Sequence, residues 1–281
     1  YYNYSMEIEV SHESPISCLD LSLSYNDYAY ALVHLFESRP EYYNFFKKLR
    51  NTTNIPVLLD NSIFELGESF DPEKYAYWIK VLNPNYFIVP DVLEDGLGTM
   101  LEWTTFTTKH LDNIKDRDNS LCIDESKIGV VQGTTWTDLV RCYRFMSDNA
   151  DYIAISFDYS YYQATGYGDT KLEKNCSGRQ RFIQQLIDEG IWNWNKPHHL
   201  LGCSLAREFR YYVDKNIYNI KSCDTSNPVV AAIHYKSYNG EIGLNEKPTA
   251  LLADLIDYEM NSSQLETLDY NVKMFKSILK R

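Results

Sequence analysis

Ile220-Lys221-Ser222-Cys223-Asp224-Thr225-Ser226-Asn227-Pro228 is the stretch whose reading decides the fold. A short run with β-branched and small residues reaches an aspartate, and a polar turn ending in proline then stops it. Asp224 is therefore a carboxylate at the carboxyl end of a strand. The same grammar recurs at Val57-Leu58-Leu59-Asp60, Phe87-Ile88-Val89-Pro90-Asp91, Gly129-Val130-Val131-Gln132, Tyr152 through Asp158 and His199-Leu200-Leu201-Gly202. Each apolar run ends on a polar or glycine position. If such strands lie parallel in one sheet, their polar ends meet at one mouth, where α/β proteins build their sites.

Between these strands the chain reads as helix. A first strand over Ile16–Leu23 leads into a helical pattern that Pro40 ends, and Tyr42–Arg50 follows as a short helix. Asp71-Pro72-Glu73 opens another helix with an N-cap and a proline at its first position. Helices over 97–114 and 137–147 flank the strand at Lys127–Gln132, and Lys115–Ser126 reads as a surface loop. Asp158–Cys176 reads as the longest irregular segment, with Ser177 capping a helix over Arg179–Glu189. Leu205–Val213 reads as a helix, and Val229–Ile233 as a short eighth strand or part of a longer loop. Two helices, 249–260 and 263–279, finish the chain.

This alternation implies parallel strands with right-handed crossovers. With seven or eight strands, a closed barrel is favoured over an open doubly wound sheet. The expectation is an α/β chain, residues 1–281 forming a single (β/α)8 TIM-type barrel domain with C-terminal helices.

At 281 residues and 44% hydrophobic content the chain can bury one large core. No long apolar run reads as a membrane span, and the opening residues lack the pattern of a secretory signal. The six cysteines match no common zinc spacing and read as reduced, mostly buried thiols, which places the protein in the cytoplasm. A net charge of −12 argues against a protein that coats nucleic acid nonspecifically, though not against local basic patches. The 24 tyrosines suit either stacking on bases or a crowded core.

Taken in order, the strand ends resemble a known family. Leu59-Asp60-Asn61-Ser62-Ile63-Phe64-Glu65 resembles the Asp-Ser-Gly-Gly-Phe/Tyr-Gln motif of the tRNA-guanine transglycosylases, and Val89-Pro90-Asp91 resembles their second aspartate motif. Gly129-Val130-Val131-Gln132-Gly133 is similar to their Gly-Ile-Val-Gln-Gly, and His199-Leu200-Leu201-Gly202 to their Tyr-Leu-Met-Gly. Ser222-Cys223-Asp224-Thr225 with Pro228 resembles their nucleophile motif.

The resemblance implies a barrel that exchanges a nucleobase at its glycosidic bond. Asp224 would be the nucleophile and Asp60 the general acid or base. Asp91 and Gln132 would hydrogen-bond a guanine-type edge, Phe64 and Leu201 would sandwich the ring, and Ser156, Phe157 and Gly202 would add contacts. The family's Gly-Gly pair is Ser62-Ile63 here, its glutamine is Glu65, and its Cys-x-Cys-x-x-Cys zinc site has no counterpart. A zinc-free chain resembles the phage-type relatives that insert 7-deazaguanine bases into DNA. Those would work in the host cytoplasm, with DNA and a free 7-deazaguanine base as partners, no cofactor or metal, and a helper protein as a further candidate partner.

Two basic groups fit that expectation: Lys171, Lys174, Arg179 and Arg181, then Arg207 and Arg210. They read either as phosphate contacts or as ordinary solvated helix faces. Asp224 also competes with a purely structural reading, an Asx turn before Pro228. At the level of function, tRNA exchange, glycosidic hydrolysis and an inactive nucleic-acid- or nucleobase-binding barrel stand as alternatives to exchange in DNA. His198 and His199, adjacent on a strand, point to opposite faces, so at most one enters the site; both read first as structural.

Overall fold

The computed structural model describes residues 7–114, 127–157, 159–239, 243–244, 248 and 250–280. The opening segment, the expected surface loop Lys115–Ser126 with Cys122, and Asp158 lie outside them. The strands are β1 (Glu9–His12), β2 (Ala29–Leu32), β3 (Val57–Asp60), β4 (Tyr86–Ile88), β5 (Lys127–Val131), β6 (Tyr152–Ile155), β7 (His198–Leu200) and β8 (Ile220–Thr225). They form one sheet in the order β1-β8-β7-β6-β5-β4-β3-β2, parallel throughout, with helices between the strands. The fold is the (β/α)8 barrel expected from the sequence.

The chain divides into two compact units, Tyr28–Ser156 and the pair of segments Tyr1–Asp27 and Phe157–Arg281. In the first, β2 through β6 are short, nearly all-apolar strands whose residues are buried except for the half-buried first residues Tyr86, Lys127 and Tyr152, as expected where both faces are covered. Their helices start on the caps that the sequence offers. Asp71 accepts from the Lys74 amide, Asp95 from Gly98 and Thr135 from Asp138. Tyr75, fully buried on helix Pro72–Leu82, brings its hydroxyl to the carbonyl oxygens of Leu59 and Ile88 at 3.0 and 2.8 Å. That contact ties the helix to the ends of β3 and β4.

In the second unit β8 lies between β1 and β7, with Ser11 opposite Asp224 and His199 opposite Ser222. The two-residue strand period therefore puts Ser11, His199, Ser222 and Asp224 on one face. Helix Ser262–Leu279, capped by Asn261, packs Leu268 and Val272 onto Val229, Ala232 and Ile233 of helix Asn227–Ile233.

Several expected elements are corrected. Ile16–Leu23 is not a strand but a 3-10 turn, Ile16–Cys18, running into helix Leu19–Tyr25. The alternation of Leu19, Leu21 and Leu23 suggests a strand, yet the buried positions are Cys18 and Ser22, four apart as on a helix. Ser22 then fixes the helix to β1 by donating to the His12 carbonyl oxygen. Ala29–Leu32, expected within a helix, is a strand; so short an apolar run carries no periodicity to decide between the two.

The segment 159–176 is not irregular. Helix Ser160–Thr165 precedes helix Lys171–Asp188, which is capped by Thr170 in a capping box with Glu173. Ser177 lies inside that helix, its hydroxyl on the Glu173 and Tyr167 carbonyl oxygens. Gly166 and Gly178 let the two helices cross, since a Cβ on either would collide with the Lys174 or Tyr162 carbonyl oxygen. Val229–Ile233 is helical, started by Pro228; all its residues are buried, so no polar face marks the period. Of the helix expected over 249–260, the described residues hold a 3-10 turn, Leu252–Leu255.

Candidate active site

In the unit Tyr28–Ser156, Asp60 ends β3 and is almost buried. The next residues turn sharply, and Ser62 takes a left-handed backbone at φ 60° while its amide donates to Asp60 Oδ2 at 3.0 Å. A non-glycine residue in that region costs on the order of 1–2 kcal/mol. The Ser62 hydroxyl in turn lies 2.8 Å from Nδ1 of His34, a half-buried ring whose pKa burial pushes down. Ser62→Val is therefore expected to destabilise by about 2–3 kcal/mol, and Ser62→Gly by far less, in urea titrations. Equal losses for both would show that the hydroxyl, not the backbone, makes this turn.

Asp91 and Gln132, both expected to meet a base, meet each other. Gln132 Nε2 donates to Asp91 Oδ2 at 2.7 Å, and Asn61 Nδ2 donates to Asp91 Oδ1 at 2.7 Å. Gln132 Oε1 accepts from the Glu94 amide at 2.7 Å. The three side chains form a closed, buried polar cluster. A base that used this carboxylate would have to take the place of one amide. Sequence reading did not single out Asn61, although an Asx residue between a strand-end aspartate and a turn is a legible signal.

Burial raises the Asp91 pKa from 3.8 to about 6, while the Gln132 and Asn61 amides pull it part of the way back. Between these values the folded chain keeps a proton that the unfolded chain has lost. This residue's contribution is therefore unfavourable above pH 6 and is relieved as pH falls from 6 towards 4, by about 3 kcal/mol in full. The Asp91 carboxyl carbon is expected to titrate near pH 6 by NMR. A midpoint near 4 would mean that the amides outweigh burial.

Phe64 lies on the short helix Ile63–Leu66 and is 62% exposed, so its ring face is open. Ser156, just past β6, is half-buried.

In the second unit Asp224 lies near the end of β8, 4% exposed, and its carboxylate has a built environment. His199 Nε2 is 2.9 Å from Oδ1, and the Gly202 amide is 3.2 and 3.3 Å from Oδ1 and Oδ2. Behind it, His199 Nδ1 is 2.8 Å from the Ser222 hydroxyl. Gly202 has φ +62°, the left-handed turn that lets its amide face back to Asp224. The expected alternation of the two histidines holds. His198 stacks on Trp192 at 3.8 Å, its pKa pushed down to about 3 by burial, whereas His199 belongs to the site.

Arg179 is corrected. It is fully buried and cannot sit on a solvated helix face. Its Nε and Nη2 pair with Glu208 at 2.7 and 2.9 Å, and it donates to the carbonyl oxygens of Leu201 and Gly202 at 2.7 and 3.2 Å. Its guanidinium covers the Phe157 ring at 5.1 Å. Phe157 itself packs with Cys176 and Leu205 in the core, so this face of the ring is occupied. Arg179 thus fixes the turn after β7 that presents the Gly202 amide.

Lys171, Lys174, Arg181 and Arg210 are exposed, with Arg181 also reaching the Thr165 carbonyl oxygen. Arg207 is half-buried and paired with Glu173 at 2.6 Å. Among the described residues no group of His, Cys, Asp and Glu is arranged to hold a metal ion, and five cysteines are buried and free. No helix of the described residues is long and apolar enough to cross a membrane. Comparison of the chain with protein-family models and with curated proteins finds no match.

Proposed function

We propose that this (β/α)8 barrel is a nucleobase transglycosylase that exchanges guanine in DNA for a 7-deazaguanine base through a covalent aspartyl-glycosyl intermediate. The observation that carries the reading is the Asp224 carboxylate. It stands at a barrel strand's carboxyl end, where such folds place their chemistry, and an imidazole and a backbone amide orient it. A turn-forming aspartate needs no such setting. Ser62 adds support, because its backbone is left-handed where the resembled motif carries glycine.

In this reading Asp224 attacks the anomeric carbon as the bond to the base nitrogen breaks. The electron pair leaves with the base, which takes a proton from Asp60. The entering base gives its proton to Asp60 and attacks the same carbon, and the ester pair returns to Asp224. Asp91, Gln132, Phe64, Leu201 and Ser156 are the proposed base contacts. Lys171, Lys174, Arg181 and Arg210 are the proposed contacts to a phosphate backbone, which must pass a chain of net charge −12. A base inside a duplex must be flipped or single-stranded to be reached.

The test is incorporation of labelled guanine, or of 7-cyano-7-deazaguanine, into matched DNA and tRNA. Label in DNA supports the reading; label in tRNA alone moves the substrate to the zinc-bearing family's usual one. Asp60→Asn is expected to slow turnover by about 10²-fold or more, and an unchanged rate would remove Asp60 from proton transfer.

A further inference from the structure

We infer that His199 is a positioning residue for Asp224: it holds Oδ1 through an Nε2–H donor and leaves Oδ2 as the attacking oxygen. The inference rests on the transglycosylase reading and names a part that no expected motif assigned. His199 is fully buried and sits on β7 beside β8, in register with Ser222 and two residues short of the Asp224 level. Its ring spans the Ser222 hydroxyl at 2.8 Å on Nδ1 and Asp224 Oδ1 at 2.9 Å on Nε2.

The chemistry of the chain fixes the donors. A carboxylate only accepts, so the 2.9 Å contact needs its proton on Nε2. In the neutral ring Nδ1 is then an acceptor, and the Ser222 hydroxyl at 2.8 Å can rotate to donate to it. The two carboxylate oxygens consequently differ. Among the described residues Oδ1 has the imidazole and the Gly202 amide at 3.2 Å, whereas Oδ2 has only the 3.3 Å contact to that amide. Ser11, opposite Asp224 on β1, is buried, and among the described residues its hydroxyl has no hydrogen-bond partner, so none links it to the Asp224 carboxylate.

When Oδ2 forms the glycosyl ester, Oδ1 becomes the ester carbonyl oxygen. The imidazole N–H still faces it and stabilises the charge that returns there as the ester breaks. Loss of one pre-aimed donor of this kind typically costs 10²–10³-fold in rate.

The experiment compares His199→Phe, His199→Gln and Asp224→Asn with the wild-type protein, using labelled guanine exchange into DNA and into tRNA. Folding of each variant is checked by urea titration. His199→Phe is expected to lower kcat about 10²-fold with KM for the nucleic acid within about twofold. His199→Gln, whose amide restores an N–H near the same place, is expected to recover to within about 10-fold of wild type. As a readout independent of turnover, ¹⁵N NMR of the imidazole is expected to give the Nε2–H tautomer in wild type.

Wild-type kcat in folded His199→Phe, beside an inactive Asp224→Asn, would overturn this inference and leave the transglycosylase reading standing. So would a Gln variant no better than Phe, a loss confined to KM, or an Nδ1–H tautomer. Undiminished exchange by Asp224→Asn, or none by the wild-type protein on either substrate, would overturn the reading and the inference together.

Discussion

Asp224→Asn is expected to lower base exchange by on the order of 10⁴-fold or more while leaving the fold in place. The asparagine carbonyl oxygen can take the Oδ1 position and accept from both His199 and the Gly202 amide, so the hydrogen bonds that seat the side chain survive. What is lost is the anionic oxygen that would attack the anomeric carbon. A nucleophile cannot be replaced by an amide of the same shape, whereas a turn former can. The measurement is the single-turnover rate of label exchange, with urea titration as the control for folding. Exchange within about 10-fold of wild type would remove Asp224 from the chemistry.

Arg179→Met is expected to cost about 3–5 kcal/mol of stability, because it leaves the Glu208 carboxylate buried without its cation. Among the described residues the other side chains on that carboxylate, the Tyr212 hydroxyl at 2.7 Å and the Cys176 thiol, are neutral and do not replace the lost charge. A fall in Tm on the order of 10 °C corresponds to this loss in a chain of this size. The double variant Arg179→Met with Glu208→Leu is expected to regain most of it, since an apolar pair removes the stranded charge. Arg179 also holds the Leu201 and Gly202 carbonyl oxygens, so the fraction of Arg179→Met that stays folded should exchange more slowly than wild type. A stability within about 1 kcal/mol of wild type would mean that water replaces the guanidinium.

The barrel was legible because its signal is repeated. One strand-end aspartate says little, but Asp60, Asp91 and Asp224 follow the same kind of apolar run, and the structure puts all three at or just past strand ends. The first two strands were not legible. Ala29–Leu32 is four buried residues long, too short for a period, and the leucines of 19–23 alternate as a strand does while sitting half-exposed on a helix.

The capping box of Thr170 and Glu173 is present in the sequence, but the tyrosines and glycines around it mask the helix that it starts. The buried place of Arg179 is hidden for a related reason. Reading the helix from Ser177 onward hides that Asn175, Cys176, Gly178, Arg179, Phe182 and Ile183 share its buried side. An arginine there takes its meaning from Glu208, a partner 29 residues away that no local pattern announces. His199 shows the limit at the site itself. Strand alternation separates it from His198, but only the β7–β8 register places its ring between Ser222 and Asp224.

The central claim is that Asp224 carries the sugar during exchange. The most direct measurement is to incubate the protein with a guanine-containing DNA strand in the absence of an incoming base, denature it, digest it and locate any covalent adduct by mass spectrometry. The expected result is a deoxyribosyl adduct on the peptide containing Asp224, absent from Asp224→Asn and discharged when free guanine is added before denaturation. An adduct on another residue, or one that persists in Asp224→Asn, would contradict the account.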